Sequence, residues 1–164
     1  MTRLLFGTTG ASPILRSSSD DHGVTWSAAG AIHSASSSAQ GSQPFFLPDG
    51  RLAIVYWNFQ GAGGGEEIDM VLSNDGGVTF GAPTLVTPVV RYTPPSIRSG
   101  TFLPSATTDR TRGNLYVVYQ VFDEAFVPRI LFTASTHSGA PWSAPIATTH
   151  NQTPRVFHPP TPPP

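Results

Sequence analysis

A chain of 164 residues, 38% of them hydrophobic, is long enough for one domain with a real core. Its formal net charge of -1 supplies neither the basic field that a nucleic acid requires nor a polybasic patch for an anionic membrane, and the absence of cysteine excludes disulfide and cysteine-metal frameworks. Frequent glycine (16) and proline (17) between runs of Thr, Val, Phe and Tyr predict short strands joined by turns.

In chain order, Arg3 to Phe6 and Ile14 to Ser19 read as two strands separated by Gly7, Gly10 and Pro13. The apolar stretch at the start is too short and broken for a signal peptide, and no run reaches membrane-spanning length, so the chain as given reads as soluble. Ser27 to Ile32 is expected to form a further strand, and the small, polar, aperiodic segment 33–43 a loop. A second unit follows: Pro44 to Leu47, a turn at Pro48-Asp49-Gly50, Arg51 to Trp57, a glycine-rich loop, Ile68 to Ser73 with alternating character, and Ala82 to Val86. A third unit repeats the order with Thr101 to Pro104, a turn at Asp109 to Gly113, Leu115 to Tyr119, Arg129 to Ser135 and Ala144 to Ala147.

Each unit carries the same short stretch between its third and fourth strands. SDDHGVTW (from Ser19) returns as SNDGGVTF (from Ser73) and, in worn form, as STHSGAPW (from Ser135). Asp21, Gly23, Thr25 and Trp26 match Asp75, Gly77, Thr79 and Phe80; the third copy keeps Ser135, Gly139 and Trp142 but has His137 and Pro141 in place of Asp and Thr. Leu52 and Tyr56 align with Leu115 and Tyr119 at nearly the same spacing, so the whole four-stranded unit is the repeat. Four antiparallel strands recurring at a period of about 40 to 60 residues are the signature of β-propeller blades. The expected architecture is all-β: a partial propeller over residues 1–158, with blades at about 1–32 (lacking its innermost strand), 43–87 and 100–148, the start of another at 154–158, and a Pro-rich tail at 159–164.

The pattern Ser-x-Asp-x-Gly-x-Thr-Trp resembles the Asp-box, or bacterial neuraminidase repeat, of the sialidase superfamily, and RSGTFLPSATTDRTRGNLYVVYQ resembles the inner hairpin of exo-sialidase-like proteins. The likeness extends over about residues 12–147. In the motif, Asp21 and Asp75 are suited to hold backbone amides of a tight turn, Gly23 and Gly77 to adopt positive φ, and Trp26, Phe80 or Trp142 to fold back onto the blade. The run Asp20-Asp21-His22 lacks the ligand count and spacing of a calcium or zinc site, so no metal and no cofactor is expected.

If all motif turns lie on one face of the disc, the opposite face is the one where propellers of this kind place substrates. It is expected to carry Trp57, Glu66, Glu67, Gln120, Asp123 and Glu124 from the second-to-third strand loops, and His33, Gln43, Arg91, Arg98, Arg155 and His158 from loops between blades. The resemblance implies a glycosidase that grips the substrate carboxylate with three arginines, for which Arg98, Arg91 and Arg155 are the candidates. It also implies an acid/base and a Tyr/Glu nucleophile pair, for which Asp123, Glu124 and Tyr119 are the candidates. The Phe-Arg-Ile-Pro motif that carries the first such arginine in sialidases is missing, and the alternation of LYVVY is also that of a packed strand.

Two functions follow as expectations. One is hydrolysis of terminal sialic acid on a glycan or sialoglycoconjugate; the other is a non-catalytic Asp-box propeller that binds a glycan or a protein partner, or is completed by missing blades. The family implies an extracellular or cell-surface location. Asn151-Gln152-Thr153 forms a glycosylation sequon, followed directly by Pro154.

Overall fold

The computed structural model describes residues 2–6, 11–34, 38–61, 64–90, 103–122, 128–136 and 138–148, with the backbone alone for 2–6 and 122. The described residues form strands and turns with no helix. Three antiparallel sheets follow one another along the chain. The first contains β1 (Thr2–Phe6), β2 (Ile14–Ser18) and β3 (Gly30–Ala31); the second β4 (Ala39–Phe46), β5 (Leu52–Asn58), β6 (Glu66–Ser73) and β7 (Thr84–Val89). The third contains β8 (Ser105–Thr108), β9 (Leu115–Phe122), β10 (Pro128–Ser135) and β11 (Ile146–Ala147). In each sheet spatial order equals chain order, so every sheet is a meander.

The hairpin turns are made by the residues the sequence singles out. At Pro48-Asp49-Gly50, Gly50 takes φ 87°, and the Asp49 carboxylate accepts from the Arg51 amide at 3.1 Å and the Arg51 guanidinium at 2.7 Å. At the corresponding turn of the third sheet, Asp109 Oδ1 accepts from the amides of Thr111, Arg112 and Gly113. An acidic side chain that gathers successive amides closes a turn without a partner strand.

The core lies between sheets rather than under one of them. With a period of two, β5 sends Leu52, Ile54 and Tyr56 to one face and Ala53, Val55 and Trp57 to the other. The first face packs with Val71 against Ile14, Ile32 and Ala39; the second packs with Ile68 and Met70 against Leu115, Val117 and Tyr119. The middle sheet is therefore covered on both sides. This explains why Ile68-Asp69-Met70-Val71 does not alternate between buried and exposed: all four are 3% exposed or less.

Several strand limits differ from the expectation. β4 starts at Ala39, inside the segment read as a loop, because Ala39 is fully buried and pairs with Asn58 before a register shift between Gln40 and Gln43. Gly41 sits in that irregular stretch with φ 69°, and the Leu103 side chain lies where its Cβ would be. Of Ser27 to Ile32 only Gly30 and Ala31 pair in the sheet, and β8 begins at Ser105 instead of Thr101, Thr101 and Phe102 lying outside the described residues. Small polar residues give no periodic signal, so pairing there is decided by the neighbouring strand.

Candidate functional site

The repeated motif builds a turn of one design. In the second copy Ser73 Oγ, fully buried, accepts from the Gly77 amide at 2.7 Å and donates to Asp75 Oδ1 at 2.7 Å. Asp75 in turn accepts from the amides of Val78 and Thr79 and from the Thr79 hydroxyl at 2.5 Å. The first copy repeats this with Ser19, Gly23, Asp21 and Thr25. The hydroxyls of Thr25 and Thr79, then their amides, favour the charged carboxylate, lowering Asp21 to about 2 and Asp75 well below the ordinary carboxylate range. In the third copy Ser135 Oγ accepts from the Gly139 amide at 3.1 Å, and His137 lies outside the described residues. Each turn places two consecutive residues at positive φ: His22 and Gly23, Gly76 and Gly77, Ser138 and Gly139. The aromatic residues differ in depth. Phe80 and Trp142 pack on the two cores, whereas Trp26 is 39% exposed and donates from Nε1 to the Gly23 carbonyl at 3.1 Å.

These turns gather at one end of the strands. Arg16 of β2 donates to the Val78 carbonyl in the second motif turn at 2.8 Å, and Arg51 donates to the Ser138 hydroxyl in the third at 2.8 Å. A meander that joins β4 to β5 and β6 to β7 at this end must join β5 to β6 at the other. The opposite end is therefore free of motif turns.

Of the expected substrate-handling residues, Tyr119 is the one the structure describes. It is 3% exposed in the core between the second and third sheets, its hydroxyl 3.4 Å from Thr87 Oγ1, and burial raises its pKa. Asp123, Glu124, Arg91, Arg98 and Arg155 lie outside the described residues. Trp57, also expected at this end, is 1% exposed; its ring meets Phe59 at 5.0 Å, and its Nε1 has no acceptor among the described residues.

The structure adds a group that the sequence reading missed. On the face of the second sheet that meets the first, toward the end free of motif turns, Asp69 is paired in register with Tyr56, and Glu67 with Asn58. Asp69 is 2% exposed and accepts from Asn58 Nδ2 at 2.8 Å. Burial first, then the nearby Glu67, raises its pKa to about 6, against the opposing hydrogen bond from Asn58. His33, which follows β3, stacks on Tyr56 with ring centroids 5.0 Å apart. Its Nδ1 is 3.1 Å from the Ser34 carbonyl, and its Nε2 accepts from the Ile14 amide at 3.3 Å, so the neutral ring carries its proton on Nδ1. Burial lowers the His33 pKa accordingly. Burial thus lets Asp69 keep its proton up to about pH 6, paired across the strands with Tyr56, on whose ring His33 stacks. A signal for it did exist. Counting back from Ser73, Ser135 and Ser19, the Asp69 position is Leu131 in the third unit and Leu15 in the first, so a carboxylate stands where the repeat otherwise has leucine. Among the described residues no cluster of His, Asp or Glu has the arrangement of a metal site.

No family model and no curated protein sequence matches the chain. Solved structures do. The fold is similar to that of the Hadza microbial sialidase Hz136, with 16% identity and TM-score 0.56 over 80% of this chain and 30% of that one. It is similar to the leech intramolecular trans-sialidase, with 17% identity and TM-score 0.58 over 84% of this chain and 19% of that one. An endo-arabinase from Bacteroides thetaiotaomicron matches with 16% identity and TM-score 0.57 over 85% of this chain and 53% of that one. At these identities the likeness is one of fold: the three sheets form part of a sialidase-like β-propeller. The chain spans 30% and 19% of the two sialidase chains, well short of their full length.

Proposed function

We propose that this chain is a carbohydrate-active propeller of the sialidase kind, its repeated turns being Asp-boxes, which removes terminal sialic acid from glycans at the end of the strands opposite those turns. The observation that carries this reading is the segregation of the motif turns to one end, held together by Arg16 and Arg51, which leaves the other end for a ligand. In this reading Arg98, with Arg91 and Arg155, binds the sialate carboxylate through paired N–H donors. Asp123 and Glu124, which follow β9, supply the acid and the carboxylate partner of a retaining displacement. The acid, Asp123, protonates the departing glycosidic oxygen while Tyr119, its proton taken by Glu124, bonds the anomeric carbon, and the covalent glycosyl-enzyme is then released by water.

The burial of Tyr119, with its hydroxyl turned toward Thr87, favours a packing role for that side chain and supports a second reading, a glycan-binding propeller without turnover. A fluorogenic sialoside and a glycan array separate the two. The first reading expects fluorophore release that falls about 100-fold in Arg98→Ala. Glycan capture without release supports the second. A folded chain that neither binds nor cleaves sialosides sinks both.

A further inference from the structure

The seam between the first and second sheets changes character along its length. On the face of the second sheet that meets the first, the cross-strand pairs run Leu52 with Ser73, Ile54 with Val71, Tyr56 with Asp69 and Asn58 with Glu67, from the motif turns toward the opposite end. The apolar pairs are enclosed with Ile14, Ile32 and Ala39. The last two bring a pair of carboxyl groups into the seam, Asp69 buried and Glu67 half-buried. Two residues apart on one strand, the side chains leave the same face, and their carboxyl groups are hydrogen-bonded to one another. Asn58 donates to Asp69 at 2.8 Å, and Gly61 makes room for the pair, since the Glu67 carboxyl occupies the place that a Cβ on Gly61 would take. In the seam between the second and third sheets the same positions are Leu131 and Arg129, so the carboxyl pair belongs to the first seam.

Ionised carboxylates are acceptors only, so a hydrogen bond between two of them keeps a proton on the pair. The described groups around Asp69 do not supply a positive charge in its place. On β5, Tyr56 has its pKa raised by burial and then by Asp69 and Glu67. No residue of β4 or β7 is titratable. From the first sheet, Arg16 sends its guanidinium to the Val78 carbonyl at the motif-turn end, and His33 is neutral, its Nε2 committed to the Ile14 amide.

We propose that Asp69 and Glu67 share a single proton that seals the seam between the first and second sheets, and that its loss toward neutral pH parts the two sheets at the end free of motif turns. An ionised Asp69 enclosed beside Glu67 is a buried charge, which is relieved by taking up a proton or by admitting water. The first sheet reaches this part of the second through the stack of His33 on Tyr56, and release of that stack admits the water. His33 acts in the opposite sense, because protonation of its Nε2 at low pH removes the acceptor of the Ile14 amide. The device does not depend on what that end of the strands binds.

Amide exchange of the intact 164-residue chain, resolved by residue and corrected for the intrinsic pH dependence of exchange, tests this. The reporters are the amides of Ile14 and Ile32 within the first sheet, and that of Ala39, which crosses from β4 to the Ser12 carbonyl at 2.9 Å. From about pH 5 to about pH 7.5 their protection is expected to fall about tenfold, the linkage of a carboxyl that titrates at about 6 when enclosed and about 4 when exposed. Amides of β9 and β10 are expected to keep theirs. Asp69→Asn is expected to abolish the fall while leaving the opposite contribution of His33 in place. No fall in the wild type, an equal fall in Asp69→Asn, or a fall shared by β9 and β10 would each overturn the proposal. Carboxyl-carbon NMR of the wild type decides it even where the variant does not fold. A shared proton makes the Asp69 and Glu67 signals move together in both of two steps, and two independent one-step curves overturn the pairing.

Discussion

Asp69 is the residue whose setting departs furthest from what its neighbours in sequence prescribe. It sits in the apolar run of β6, faces the first sheet at 2% exposure, and has a pKa raised to about 6 by burial and by Glu67. A carboxyl whose folded pKa lies above its unfolded value is stabilising when protonated, so its contribution is lost as pH rises from about 4 through 6. A shift of that size corresponds to roughly 2 to 3 kcal/mol. Asp69→Asn, which keeps the acceptor for Asn58, is expected to stabilise the chain at pH 7 and to leave it unchanged at pH 4. The check is the difference between wild-type and variant unfolding curves across that window. His33 runs the opposite way: its pKa is lowered by burial, so its contribution is lost as pH falls below its unfolded value. Taking the difference cancels that background. A wild-type minus variant profile that is flat between pH 4 and 6 contradicts the assignment.

At the scale of the element, the motif turn and the middle strands carry separate loads. Ser73 is the hub of the second turn, accepting from Gly77 and donating to Asp75 while fully buried, so Ser73→Ala leaves a buried amide without its acceptor and is expected to cost about 1 to 3 kcal/mol in chemical denaturation. The third turn, lacking the Asp and Thr of the pattern, is expected to be the least firmly held. Its serine-to-glycine bond is 3.1 Å against 2.7 Å in the other two, and it gains the contact from Arg51 to Ser138. Arg51→Ala should therefore speed amide exchange at Ser138 and Gly139 while leaving Gly77 unaffected. In β5, Ile54 and Val55 are each completely buried but on opposite faces. Ile54→Ala is expected to cost about 2 to 5 kcal/mol through the contact with the first sheet. Ile54→Ser should cost more still, because no side of this strand meets solvent.

At the scale of the molecule, the three sheets form part of a sialidase-like propeller in which the middle sheet is covered on both faces. Much of this architecture is legible in the chain. The triplet of motif turns, the hairpins at Asp49 and Asp109, and the rows Leu52-Ile54-Tyr56 and Leu115-Val117-Tyr119 are set by turn chemistry and by a period of two, both local properties of a strand and its turn. The direction in which each motif turn points follows from them. What the chain left open was non-local. Ala39 belongs to a strand because Asn58 pairs with it, Tyr119 and Trp57 are enclosed because a neighbouring sheet covers their face, and Asp69 has its pKa raised because burial removes it from solvent with Glu67 nearby. Local pattern determined that this protein is a repeat of four-stranded units with its turns on one side. The stacking of those units decided which side chains are enclosed, because burial depends on what lies across the interface and that is not written in the strand itself.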